Sequence, residues 1–281
     1  METDYGKWHI EYTPEDGARI SALRFDGYDL LTEQVPGFRP PESFAGEFET
    51  RPVFGYDDCF PSVDACISPD TGISIRDHGE LCWLPWKVSR AHDGLIFSVD
   101  CEAPSVSFVR TLAFDENSIL WKFRVRNRSE KKVSFLHVMH ALFPLQSIAG
   151  FQLPGCASIF DEIMLQDSGL IDPSELTRFP DGIPVGGYAM LLMRDISEGE
   201  FVLVFDSGKK LTVRFDKTMF PTLGIWWNNS GYPGSGVLRS ECAFEPIPGN
   251  YSDLAKSYLD GRCLETGPSG ECCWEISWTI S

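Results

Sequence analysis

The chain has 281 residues, with 24 Lys plus Arg against 41 Asp plus Glu, a formal net charge of −17. So acidic a chain lacks the basic footprint with which DNA and RNA binders neutralise phosphates, and an anionic membrane surface repels it. Hydrophobic residues make up 43% and aromatic residues 13% of the sequence, too many for a disordered chain. The longest apolar runs, such as residues 201–205, fall far short of the roughly 20 residues that span a bilayer as a helix. The start, Met1-Glu2-Thr3-Asp4-Tyr5, has neither the basic nor the apolar region of a secretory signal. The nine cysteines are odd in number, show no C-x-x-C spacing, and include the adjacent pair Cys272-Cys273. That pattern predicts buried free thiols in a cytosolic, cytoplasmic protein, with no disulfide framework and no metal site.

Along the chain the first strong signal is strand-like. Residues 95–100 and 106–112 are rich in β-branched and aromatic side chains, and residues 120–126 alternate strictly between apolar and polar. Turn residues separate the runs, so a meander of antiparallel strands is expected from about 81 to 145. Residues 146–187 are irregular, with many Pro and Gly, and read as an excursion at the mouth of one β-sandwich. Further strands are expected at 188–193, 200–205, 210–215, 238–244 and 273–280. The continuous run Val202-Leu203-Val204-Phe205 predicts a strand covered on both faces. The best helix is 252–259, with Ser252 as its N-cap and Gly261 as its stop. The expected fold is all-β, a large antiparallel β-sandwich with little helix, in which residues 1–281 form one domain.

The chemistry-bearing residues fall in three clusters. Of the five histidines, His9 and His92 have no suggestive context. His78 precedes a strand within Asp77-His78-Gly79, and His137 and His140 lie three apart. Strand residues three apart face opposite sides, so at most one of that pair enters a site unless the strand ends between them. The second cluster is Trp226-Trp227-Asn228-Asn229, followed by Gly231-Tyr232-Pro233-Gly234. Aromatic faces cover the C–H side of a pyranose and amides bond its hydroxyls, although paired tryptophans also serve as packing. The third is Glu245, at the end of an apolar strand before Pro246-Ile247-Pro248-Gly249, where a carboxylate suits a general base or a solvated strand-end charge.

Taken together, these segments resemble a family. Phe60-Pro61-Ser62-Val63, Asp77-His78-Gly79 and Leu84-Pro85-Trp86-Lys87-Val88 are similar to the FP, HG and PW segments of the aldose 1-epimerases, also called galactose mutarotases. His140-Ala141-Leu142-Phe143 is similar to their second histidine motif. Leu223-Gly224-Ile225-Trp226 and Phe244-Glu245-Pro246 resemble their closing motif, and the order holds across residues 10–281. The resemblance implies a galactose mutarotase-like supersandwich and an isomerase that interconverts the α and β anomers of a free sugar by ring opening. It implies Glu245 as general base on the anomeric hydroxyl, His140 as general acid to the ring oxygen, and His78 as a polarising contact near that oxygen. An imidazole and a carboxylate perform such chemistry without a metal or an organic cofactor.

The chain departs from the family at two places. It reads Val63-Asp64-Ala65-Cys66 where the family carries an arginine, and His78-Gly79-Glu80-Leu81-Cys82 where many members read H-G-F-A-R. Arg76 is the expected substitute, and with Trp226, Trp227 and Asn228 it forms the expected sugar-binding set. The expected partner is a small-molecule sugar, neither nucleic acid nor membrane, and the protein is a monomer or a homodimer. Two other readings stay open: a non-catalytic sugar-binding module, and a hexose-phosphate epimerase using Arg76, Lys87 and Arg90.

Overall fold

The computed structural model describes residues 1–34, 48, 51, 53–167, 182–233 and 238–281. Among them, one antiparallel sheet runs in the order Ile148–Gln152, Glu200–Phe205, Lys210–Phe215, Glu271–Ile280, Ser118–Asn127, Val106–Phe114, Gly94–Cys101 and Lys87–Ala91. Alternation builds it: along Val106–Phe114 and Ser118–Asn127, every second side chain is buried. Those inward residues are large, and Phe108, Trp121, Phe123, Trp274 and Trp278 share one apolar core. The meander is thus real but ends at Asn127. Val133–Phe135 leaves it to pair with Leu264–Thr266, and Val138–Ala141 crosses to another sheet.

That second sheet runs Glu2–Tyr5, Trp8–Thr13, Arg19–Phe25, Tyr56–Cys59 and Val138–Ala141, with Tyr28–Asp29 paired to Arg19–Phe25. A third runs Phe143–Pro144, Ser240–Ile247, Thr222–Asn229, Gly187–Arg194, Ser158–Asp161 and Gln166–Asp167. Aromatic contacts tie the first sheet to the others: Tyr12 meets Phe97 edge-on, Tyr56 meets Trp121, Phe143 meets Trp278, and Phe201 stacks on Phe244. Edge and offset stacking of this kind adds about 0.5–1.5 kcal/mol per pair beyond the area buried. The architecture is the expected all-β sandwich. Val138–Ala141 and Ser240–Ile247 pack side by side, and that seam positions the candidate site.

Several local expectations change. In Glu200–Phe205 burial alternates, with Phe201, Leu203 and Phe205 buried and Val202 and Val204 only half-buried, so the run is fully covered on one face. The helix is Leu254–Leu259 and its cap is Asp253, whose side chain accepts from the Lys256 N–H. Ser252 instead donates its hydroxyl to Glu162, at 2.6 Å. Within 146–187 the strands Ile148–Gln152, Ser158–Asp161 and Gln166–Asp167 add to two sheets, while residues 168–181 lie outside the described set. All nine cysteines are free, but only Cys59, Cys82, Cys101 and Cys242 are fully buried, and Cys273 is exposed. No helix among the described residues is long and apolar enough to cross a membrane.

Candidate active site

Asp57 lies directly across from His140 in the pairing of Tyr56–Cys59 with Val138–Ala141. Its carboxylate accepts from His140 Nδ1 at 2.8 Å and also meets Arg51 Nη1 at 3.0 Å and Arg19 Nη2 at 3.1 Å. Burial works against the Asp57 charge, but Arg19, His140 and Arg51 outweigh it and hold the carboxyl far below its ordinary range. Burial likewise disfavours the His140 imidazolium, yet the hydrogen bond and charge of Asp57 win, with help from Glu245, and raise its pKa. Because Nδ1–H is committed to Asp57, Nε2 is the nitrogen left for chemistry.

His78 arrives on a turn. Its backbone is left-handed, φ 58°, and Gly79 follows at φ 68°. A Cβ at Gly79 would lie 1.9 Å from the Phe60 carbonyl oxygen, so only glycine lets this turn dock on Phe60-Pro61. His78 N–H donates to the Val63 carbonyl and Glu80 N–H to that of Phe60, which locks the histidine motif onto the FP motif. The Phe48 ring stacks on His78 at 3.5 Å, and the His140 ring is 5.0 Å away. Asp77 Oδ1 approaches His78 Nδ1 to 3.1 Å, a close contact outside hydrogen-bond geometry. Burial lowers the His78 pKa, outweighing Asp77, so the ring is held neutral.

Glu245 comes from Ser240–Ile247, directly across from Gly224 in Thr222–Asn229. Gly224 keeps the space clear: a Cβ there would sit 3.0 Å from Met190 Cε and 2.9 Å from Ile247 Cδ1. Burial pushes the Glu245 carboxyl up to about 7; His140 opposes the rise, and Glu162 and Asp57 add to it. A carboxylate that ionises near neutrality beside a histidine favoured as imidazolium is the arrangement that general acid–base catalysis requires.

Glu245, His140 and His78 line one cavity of about 270 Å³, and Trp226 forms part of its wall. Trp226 belongs to a three-ring cluster, with Tyr188 at 5.8 Å and Tyr232 at 5.7 Å. Four more carboxylates, Asp64, Asp77, Glu162 and Glu241, also face the cavity. Burial, with Glu162 and Asp77 nearby, lifts Asp64 to about 7. The guanidinium among the described lining residues is Arg239, paired with Glu241 at 3.1 Å.

Three of the expected sugar-binding residues do not line this cavity. Trp227 faces the other side of its strand, packed in the sandwich core near Phe151. Asn228 is fully buried; its amide donates to the Tyr232 carbonyl and Glu241 and accepts from the Gly231 and Tyr232 N–H groups, so it builds the loop that carries Tyr232. The Arg76 guanidinium lies over Trp83 at 5.6 Å. Sequence reasoning missed Asp57, Tyr188, Glu162 and Arg239. Only Asp57 carried a signal, since Asp57-Asp58 sits just ahead of Phe60-Pro61. It also missed that Cys59, His78 and His140 each bring a ligand atom within 4.8 Å of the others.

No protein-family model matches the sequence, and no curated protein matches it. Solved structures do match. The Slr1438 protein of Synechocystis sp. PCC 6803 superposes with a TM-score of 0.72 at 17% identity, covering 100% of this chain and 96% of that one. A galactose mutarotase related enzyme from Lactobacillus acidophilus gives 0.71 at 16% identity, covering 100% and 97%. Galactose 1-epimerase from Lactobacillus acidophilus NCFM gives 0.64 at 12%, covering 99% and 92%. The chain has the galactose mutarotase-like fold.

Proposed function

We propose that this protein is an aldose 1-epimerase-like isomerase that interconverts the anomers of a neutral free sugar. The observation that carries the reading is the convergence of Glu245 and His140 on one cavity walled by Trp226. Glu245 takes the proton of the anomeric hydroxyl, the C1–ring-oxygen bond breaks, and His140 Nε2 delivers its proton to the departing oxygen. The open aldehyde turns about C1–C2. Reclosure returns the ring-oxygen proton to His140 and the Glu245 proton to the carbonyl oxygen, which restores both groups and leaves the other anomer. Neutral His78 bonds the sugar near the same oxygen, and Trp226 covers its C–H face.

The charge of the cavity supports a neutral substrate. Among the described lining residues, five carboxylates face it against the guanidinium of Arg239, which Glu241 already engages. A sugar phosphate would meet repulsion there. Arg76, offered above as a phosphate ligand, lies against Trp83 instead. Nine free thiols support a reducing, cytoplasmic setting.

The test is Glu245→Gln, which keeps the shape and removes the base. Polarimetry on a freshly dissolved pure anomer is expected to show a rate about 10²–10⁴ lower than wild type, with an unchanged circular dichroism spectrum. A mutant matching wild type would remove Glu245 from the mechanism.

A further inference from the structure

Three ligand-bearing residues meet beside the cavity from separate segments of the chain. Cys59 and Asp57 are two apart in Tyr56–Cys59, so both side chains fall on the strand face that looks toward His140. His78 reaches them on its turn, and the ligand atoms of Cys59, His78 and His140 all lie within 4.8 Å of one another. We propose that Cys59, His78 and His140 form a binding site for a single soft divalent cation of the zinc class, with its fourth position open to the cavity.

The chemistry of the donors argues for this class. One thiolate and two imidazoles select Zn²⁺ or a similar ion over Mg²⁺ or Ca²⁺, which take oxygen ligands. Zinc bonds of about 2.0–2.3 Å hold tetrahedral donors about 3–4 Å apart, so side-chain movements of about an ångström close the site. The surroundings are those of a metal centre. Ligating histidines commonly give their other ring nitrogen to a carboxylate; His140 Nδ1 does so to Asp57 at 2.8 Å, and the Asp77 carboxylate lies 3.1 Å from His78 Nδ1, outside hydrogen-bond geometry. Three protein ligands with an open fourth position differ from a closed structural site with four. Binding displaces the Cys59 thiol proton to solvent, so no oxidant or reductant is involved. The consequence for activity rests on the proposed anomer exchange: an ion on His140 Nε2 occupies the position of the transferred proton, and zinc therefore inhibits.

Cobalt titration of the full chain, freed of metal by chelator, tests the site. A thiolate-to-cobalt charge-transfer band in the near ultraviolet is expected to saturate at one ion per chain and to disappear when Zn²⁺ is added. Cys59→Ala should abolish the band, whereas Cys272→Ser with Cys273→Ser should retain it. Asp77→Asn should weaken zinc binding about tenfold through loss of the carboxylate behind His78. Zinc should inhibit anomer exchange in wild type and not in Cys59→Ala, whose metal-free rate should stay at the wild-type value. No band in wild type, or a band that survives Cys59→Ala, overturns the proposal. Should Cys59→Ala fail to fold, His78→Gln carries the same test, and zinc binding at wild-type strength there overturns it too. The cobalt band decides the metal site even if the protein exchanges no anomers.

Discussion

Asp57 and Asp58 are neighbours in one strand, and each holds a buried histidine and buried arginine, yet only one of these clusters opens on the cavity. Asp57 bonds His140 and pairs with Arg19 and Arg51. Asp58, on the opposite face, accepts from His137 Nε2 at 3.0 Å, from Tyr56 and from Arg110. The outcomes are opposite. Burial lowers the His137 pKa, Asp58 does not recover the loss, and Arg110 adds to it. For His140 the same burial is overcome by Asp57, and the Glu245 charge adds to the rise. His137 is sealed among Phe108, Phe123 and Trp274, whereas His140 reaches the cavity. A carboxylate–imidazole pair is thus only a scaffold element. It becomes chemistry when the imidazole has access and a second carboxylate across the cavity.

The largest expected effect separates the two histidines. His140→Gln should lower the anomer-exchange rate about 10²–10⁴-fold with little change in melting temperature. His137→Gln should leave the rate per folded molecule near wild type and destabilise the fold by about 1–3 kcal/mol, through unsatisfied buried partners, in a urea titration. Asparagine at the two aspartates comes next. Both variants strand buried arginines and should cost about 3–5 kcal/mol, but only Asp57→Asn should also slow catalysis in the fraction that remains folded. Equal rate losses at Asp57 and Asp58 would erase the distinction between the clusters.

Smaller effects sharpen it. Trp226→Leu should raise KM for the sugar while sparing stability, and Trp227→Leu should do the reverse, in steady-state kinetics and thermal melts. The smallest effect is a shift in pH dependence, read with chelator present. In the proposed reaction the active form of Glu245 is the carboxylate, so with its pKa near 7 the rate should fall as pH drops below neutrality. Glu162 raises that pKa, so Glu162→Gln should lower it and move the acid limb to lower pH. A limb that moves upward would contradict the electrostatics.

What the sequence revealed follows from which interactions are local. Alternation along 106–127 is a property of each strand, so the sheet that carries it was readable. Motifs in a set order also singled out Glu245 and His140, and both line the cavity. The partition of Trp226 from Trp227 was not. Period two says that one faces each way, and only the register of Thr222–Asn229 against Ser240–Ile247 decides which. Asn228 shares the face of Trp226, yet the loop through Gly231 and Tyr232 closes over it. The strand over 133–135 and the crossing of 138–141 depend on partners far along the chain, as does the meeting of Cys59, His78 and His140, which close-spacing rules for metal ligands cannot find.

The proposed acid–base anomer exchange in this cavity is tested most directly on the wild-type protein. Proton NMR exchange measurements on equilibrated glucose and galactose, with and without protein under chelator, would report the interconversion rate. Acceleration over buffer is expected for at least one free aldose, lost in Glu245→Gln and in His140→Gln and retained in His137→Gln. Saccharide binding with no acceleration over buffer for any free aldose would contradict it.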